Sequence, residues 1–284
     1  MKTNISLLLN HRVQAYKNLD THLQPASRWD IVQLKYDGWW ARVVIESGVA
    51  RIFSRQNQLK DTFPAPGVKD MILIGEYLKG TNRATSAASS VDVAGCVMVF
   101  DALETACHSH EKLMKLPYED RHNLVMALHV SGKFPAWCFG APAWGVEQAG
   151  QLWDNDVLAG GAEGLVFRKL HHTYVDSVIG RVKKEFTMDY VATDVVEGAG
   201  KRSGMTGAII GSLYENGVLV PKVRVGGGFD NAQAIDIYTN FEAYRGRVME
   251  VKGWQVFDSG AMRHPNLVKW REDKIAADCI WPLA

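Results

Sequence analysis

Long apolar runs, patterned cysteines and an excess of either charge are all missing from this 284-residue chain. No stretch is long and apolar enough to span a bilayer. Residues 5–9, behind Lys2, are too few for a signal peptide and fit the start of an amphipathic helix running through Val13. The four cysteines, Cys96, Cys107, Cys138 and Cys279, show no C-x-x-C spacing and no framework pattern. That argues against zinc and disulfides and fits reduced thiols in a cytoplasmic protein. His108 with His110, and His171 with His172, find no matching Cys or His cluster elsewhere and so define no metal centre. Formal net charge is +1, so bulk charge announces no nucleic-acid partner. A nucleic-acid face would have to be local, built from Arg168-Lys169, Lys183-Lys184 and Lys201-Arg202.

What is present is an ordinary globular composition, 47% hydrophobic and 22% charged, with length enough for one or two domains. From Ile31 onward, short apolar segments alternate with Gly, Asn and Pro. Residues 43–45 and 49–53 flank a turn-forming dipeptide, Ser47-Gly48, and predict a hairpin. Residues 71–74 and 97–100 are apolar runs suited to buried strands, and the spacings at 118–130 and 149–158 predict helices. After Asp189 the texture changes. Strand-like segments at 190–196, 208–214, 218–225 and 248–256, with one helix-like segment at 232–241, are compatible with an OB-type barrel.

Lys35-Tyr36-Asp37-Gly38 is the most informative stretch. A nucleophilic lysine must shed its proton near neutral pH, which needs cationic neighbours, a metal or desolvation. Surface Lys-Asp pairs beside a turn glycine are common, so the tetrapeptide gains weight only from the motifs downstream of it. In order come Ser54-Arg55, Ile74-Gly75-Glu76, Val99-Phe100-Asp101, Glu163-Gly164-Leu165-Val166, Arg181-Val182-Lys183-Lys184 and Arg271-Glu272-Asp273-Lys274. Glu76 emerges at the end of an apolar run. Arg181 and Lys183 lie two apart and share one strand face. A carboxylate at Glu163 suits Mg²⁺, a hard ion that prefers oxygen donors, and Gly164 permits close backbone approach.

This ordered series resembles the covalent nucleotidyltransferase superfamily and, within it, the ATP-dependent DNA ligases in a minimal two-domain form. The resemblance runs from about Ile31 to the C-terminus. It implies an α+β fold: a nucleotidyltransferase domain at 1–188, with antiparallel sheets and flanking helices, then an all-β OB-fold domain at 189–284. It leaves no room for the additional N-terminal DNA-binding domain of larger relatives. The resemblance makes Lys35 the nucleophile toward ATP, with Asp37 and Gly38 completing its motif. Arg55 and Glu76 would contact phosphate or ribose, Phe100 would stack on adenine, and Gln33 would read the adenine edge. Glu163 and Glu76 would serve Mg²⁺, or Mn²⁺ in its place. Arg181 and Lys183 would face the α-phosphate, with Lys184 as an alternative register. Arg271 and Lys274, converging on one anion if helical, would orient pyrophosphate as the OB domain closes over ATP.

The family places arginine five residues after the lysine, where this chain has Trp40. Arg42, two further on and on the same strand face, is expected to take over that phosphate or sugar contact. The implied partner is nicked double-stranded DNA, gripped by Arg42, Lys169, Lys184, Lys201 and Arg202 through the phosphate backbone. No membrane or protein partner is expected, and the chain is expected to act as a monomer. Two alternatives stay open: an RNA ligase or capping-type nucleotidyltransferase, and a non-catalytic OB-type nucleic-acid-binding protein.

Overall fold

The computed structural model describes residues 14–78, 95–176 and 178–282. The helix expected through Val13 lies outside the described residues. The chain folds as two compact units, the first ending at Lys183 and the second starting at Lys184.

The strands of the first unit are β1 (Ala15–Asn18), β2 (Ile31–Lys35), β3 (Trp39–Glu46), β4 (Val49–Ser54), β5 (Leu59–Pro64), β6 (Met71–Leu78), β7 (Cys96–Glu104), β8 (Cys138–Gly140), β9 (Trp144–Gly145), β10 (Gly164–Arg168) and β11 (Val178–Lys183). They form a five-stranded sheet, β1-β11-β10-β2-β9, and a six-stranded sheet, β5-β4-β3-β6-β7-β8. Helices α1 (His110–Lys115) and α2 (Tyr118–Val130) follow β7, and α3 (Ala149–Leu152) runs directly into a π-helical stretch, Trp153–Ala159. The helix expected at 149–158 is therefore helical throughout but changes its winding. The hairpin at Ser47-Gly48 joins β3 to β4, with φ of 51° and 76° at its two turn residues.

Alternation along the five-stranded sheet decides what faces the core. Val32 and Leu34 of β2, Leu165 and Phe167 of β10, and Val182 of β11 all enter one apolar cluster. The intervening residues, Gln33, Lys35, Val166, Arg168, Arg181 and Lys183, therefore lie on the opposite face. Burying each apolar side chain is worth roughly 1.5–3 kcal/mol. A one-residue slip would drive the lysines and arginines into the core instead, so this register is strongly specified. In the six-stranded sheet, Ala41, Val43 and Ile45 of β3 enter one cluster while Val44 and Trp40 join another. Phe100 of β7 packs against both the first cluster and the latter.

The second unit contains β12 (Phe186–Glu197), β13 (Thr206–Glu215), β14 (Val218–Val225), β15 (Val248–Gly253), β16 (Gln255–Val256), β17 (Met262–Arg263) and β18 (Asn266–Arg271). A five-stranded antiparallel sheet, β14-β13-β12-β15-β18, is joined by the small β16–β17 pair. Phe186–Met188, placed in the first domain by sequence, open β12. The Leu267 N–H donates to the Gly227 carbonyl at 2.9 Å, bringing β18 back toward the end of β14. Gly228 makes that approach feasible: its φ is +91°, and a Cβ there would meet the Leu267 carbonyl oxygen at 2.1 Å. Between β14 and β15 sits α4 (Asn231–Thr239), started by a reciprocal cap in which Asp230 and Gln233 satisfy each other's backbone N–H. This is the OB arrangement expected from sequence. No described helix is long and apolar enough to cross a membrane.

Candidate active site

Three adjacent strands bring the site together. Lys35, the last residue of β2, pairs with Gly164 of β10, and Gly164 pairs with Lys183 of β11. The Glu163 N–H donates to the Lys35 carbonyl at 3.1 Å, which fixes the carboxylate between two ammonium groups. Glu163 Oε2 is ion-paired to Lys35 Nζ, and its Oε1 receives Lys183 Nζ at 2.5 Å. Gly164 has to be glycine: a Cβ would meet the Val182 carbonyl oxygen at 2.0 Å and prise the strands apart.

The second sheet supplies the facing wall. Trp40 of β3 pairs with Glu76 of β6, and the Gly38 N–H donates to the Glu76 carboxyl. A Cβ on Gly38 would lie 2.6 Å from the Tyr77 carbonyl oxygen, so the turn after Lys35 closes onto β6 only without a side chain. Between the sheets lies a cleft of about 470 Å³ whose walls include Lys35, Glu76, Arg55, Arg181, Trp40 and Tyr16. Deeper lies a cavity of about 40 Å³ with Gln33, Phe100, Val166 and Arg168 among its walls.

The electrostatics follow from crowding. Burial works to raise the Glu163 pKa, but Lys35 and Lys183 overcome it and hold the carboxyl below its ordinary value. Burial lowers the Lys183 pKa against the pull of Glu163. Glu76 goes the other way: burial pushes it up to about 7 despite Lys35, and nearby Glu163 adds to the rise.

Behind the small cavity is a buried polar web. Arg168 Nε donates to Gln33 Oε1 at 2.9 Å; because guanidinium only donates, the amide oxygen must face it. The Tyr118 hydroxyl lies 2.9 Å from the Phe100 carbonyl and 3.0 Å from the same Gln33 oxygen, its single proton shared between them. The Gln33 amide nitrogen faces the Ala141 and Pro142 carbonyls at 3.4 and 3.5 Å. The Arg168 guanidinium lies 5.0 Å from the Phe100 ring centroid and 4.6 Å from that of Tyr118. Asp101 and Arg121, both fully buried, are joined by two hydrogen bonds of 2.8 and 3.0 Å and tie β7 to α2 directly behind Phe100.

Several residues singled out in the sequence are thus brought together: Gln33, Lys35, Gly38, Arg55, Glu76, Phe100, Glu163, Arg181 and Lys183. Asp37 sits half-buried in the turn between β2 and β3 and lines neither cavity. Arg42 is not brought to the cleft. It is only 2% exposed and donates to the Asn57 side chain, so neither a nucleotide nor a duplex phosphate reaches it in this structure. Lys169 is held by Asp30 at 3.1 Å, and Lys184 lies 4.7 Å from the Phe186 ring centroid. Lys201 and Arg202 are exposed on a turn of the second unit.

Also within the second unit, Arg271 ends β18, and residues 272–273 form a turn rather than a helix. The two cations nevertheless meet, on internal carboxylates. Arg271 Nη1 approaches Asp189 and Glu250 at 3.3 Å, and Lys274 Nζ reaches Asp189 at 2.5 Å. Arg271 also grips Asp273 through two hydrogen bonds, which holds the Asp273 pKa well below the usual carboxylate range.

Sequence reasoning missed Tyr16, Trp39, Lys60, Arg168 as a cavity wall, and the Tyr118 and His122 pair. Trp39, 49% exposed at the cleft mouth with Lys60 Nζ 5.8 Å from its ring, carried a signal, since a Trp-Trp pair beside a polar turn is unusual. Tyr16 carried none.

The two units are a nucleotidyltransferase fold followed by an OB fold. The same fold occurs in a Lig E DNA ligase described as binding DNA with a minimal scaffold (TM-score 0.68, 19% identity, 92% of this chain and 99% of that one). It also occurs in a structure named Pmar-Lig (TM-score 0.67, 16% identity, 90% of this chain and 67% of that one). No family model matches the chain. Among curated proteins, 97% of the chain aligns at 24% identity with a DNA ligase of Natronomonas pharaonis, and 86% at 26% identity with a DNA ligase of Methanoculleus marisnigri. It covers 58% and 51% of those proteins, so the chain spans about half the length of the curated relatives it matches.

Proposed function

We propose that the chain is an ATP-dependent DNA ligase that seals nicks in duplex DNA, with a nucleotidyltransferase domain in the unit ending at Lys183 and an OB domain in the unit starting at Lys184. The observation that carries this reading is the joint hold of Glu163 on Lys35 and Lys183, with Lys35 itself lining a cleft also walled by Arg55 and Arg181. A lysine so placed is aimed by a carboxylate, and the cations around it match a triphosphate.

The chemistry runs in three balanced steps. The Lys35 amine, once deprotonated, attacks the α-phosphorus of ATP; the P–N bond forms, the bond to the β-phosphate oxygen breaks, and pyrophosphate leaves. A 5′-phosphate oxygen at the nick then attacks that phosphorus, breaking the P–N bond and returning the electron pair to Lys35. Finally the neighbouring 3′-hydroxyl attacks the 5′-phosphate and AMP departs. Arg55, Arg181 and Lys183 balance the phosphate charge during these steps, and Phe100 offers its ring to adenine.

Among the described residues no group of three or more His, Cys, Asp or Glu side chains could hold a metal by protein ligands alone. Glu76 and Glu163, close enough to influence each other's ionisation, form a two-carboxylate oxygen set. That fits Mg²⁺, which commonly takes one or two carboxylates and completes its shell with phosphates and water. The ion would neutralise phosphate charge and orient the reacting groups. The four free thiols, three of them buried, fit a cytoplasmic protein, acting as a monomer on nicked double-stranded DNA.

The test pairs a nicked DNA duplex with a nicked RNA duplex, and ATP with GTP. The expected result is joining of DNA with ATP. Joining confined to RNA would move the reading to an RNA ligase, and guanylylation without joining would move it to a capping-type enzyme.

A further inference from the structure

Three residues line both the 470 Å³ cleft and the 40 Å³ cavity: Lys35, Glu76 and Tyr16. The first two belong to motifs. Tyr16 belongs to none, and it comes from β1, an edge strand running parallel to β11 with Tyr16 opposite Ile179 and Asn18 opposite Arg181. Its ring is shared by two guanidinium groups. Arg181 Cζ lies 5.2 Å from the ring centroid and Arg55 Cζ 5.6 Å, the first arginine from the five-stranded sheet and the second from the turn after β4. Arg181 is also held by Asn18, whose Oδ1 accepts from its Nε at 2.7 Å. A cation placed over an aromatic face is attracted by the ring quadrupole. One tyrosine thus holds two like-charged side chains from opposite walls at the mouth of the cleft.

We propose that Tyr16 is a positioning residue for the nucleotide: its ring orients Arg55 and Arg181 toward the phosphates. The inference rests on the nucleotide-binding reading above. Gln33, Arg168 and Phe100 are tied into the buried polar web. Tyr16, partly buried on a four-residue edge strand, instead meets the two arginines that wall the cleft. When a triphosphate arrives, its oxygens offer both arginines a stronger partner than the ring face does, and the ring has held them poised for it.

The experiment measures ATP binding by calorimetry, without Mg²⁺, for wild type, Tyr16→Ala, Tyr16→Leu and Tyr16→Phe, alongside adduct formation with Mg²⁺ by intact mass. The expected result is about tenfold weaker ATP binding for Tyr16→Ala, the equivalent of 1.4 kcal/mol. The ATP concentration for half-maximal adduct formation should rise to match, while the rate at saturating ATP changes far less. Tyr16→Phe should recover most of the affinity, because the ring and not the hydroxyl holds the arginines. Tyr16→Leu, which fills space without a π face, should stay weak and decides the matter if the alanine variant folds poorly. Wild-type affinity in the alanine or leucine variant overturns the proposal, as does a phenylalanine variant no better than alanine. Wild-type protein that binds ATP but forms no adduct sinks the ligase reading while leaving the Tyr16 test standing. Wild-type protein that binds no ATP overturns both.

Discussion

Lys35 is ion-paired to Glu163 through one carboxylate oxygen, while the other oxygen of the same group receives Lys183 at 2.5 Å. One acid therefore fixes the aim of two lysines. Glu163→Gln keeps the shape but removes the charge. The expected outcome is a loss of adduct formation on the order of 100-fold with the fold retained by circular dichroism. A variant that forms adduct at the wild-type rate contradicts this role.

Glu76 gives a prediction in pH. Its carboxyl is pushed up to about 7 in the fold against an ordinary value of 4.5, so between these values the folded state holds a proton that the unfolded chain has released. Stability contributed by that proton is present below pH 4.5 and is lost as pH rises through about 7. Glu76→Gln removes the dependence. The melting-temperature advantage of Glu76→Gln over wild type should therefore grow from pH 4.5 to about 7 and then level off. Parallel melting curves across that range would contradict the assignment.

Arg42, buried in β3, has a structural partner. It reaches from the centre of β3 to Asn57, a non-glycine residue with φ of 60° in the turn that also carries Arg55. Asn57→Ala should cost about 1–3 kcal/mol in denaturant unfolding, because it takes a partner from a buried charged donor. Arg42→Met and Asn57→Ala should be strongly non-additive in a double-mutant cycle, in both stability and adduct formation. Additive effects would mean that the two side chains act independently.

How far the sequence reached is plain from these residues. Lys35, Glu163, Arg181 and Lys183 were legible because a period of two fixes the face of a strand, and their motifs fix the order. The same periodicity placed Arg42 on the face of Trp40 but says nothing of depth, and β3 is a central strand between β4 and β6. Tyr16 and the Gln33–Arg168–Tyr118 web were not legible. Their partners lie far away in the chain, 135 residues for Arg168 and Gln33, and only the sheet register brings them together. In the Arg271–Lys274 element the expected helix is a turn, and both cations meet on the Asp189 carboxylate.

The proposed grip on a duplex by backbone contacts sets a salt dependence. With a formal net charge of +1, binding must rest on a few local cations, among which Lys201 and Arg202 are exposed. Nick joining under subsaturating DNA should fall steeply as salt rises, and Lys201→Ala should reduce the slope of log affinity against log salt by about 1. A flat salt profile would count against backbone recognition, and an unchanged slope would remove Lys201 from the interface.

Covalent adenylylation of Lys35 underlies every later step of the proposed cycle, and intact mass spectrometry reads it directly. Protein first stripped of any bound AMP is incubated with ATP and Mg²⁺, wild type beside Lys35→Ala. The expected result is an AMP adduct on the wild type, lost on adding pyrophosphate, and none on the variant. Absence of the adduct from folded wild type, or its presence on Lys35→Ala, contradicts the assignment of Lys35 as the nucleophile.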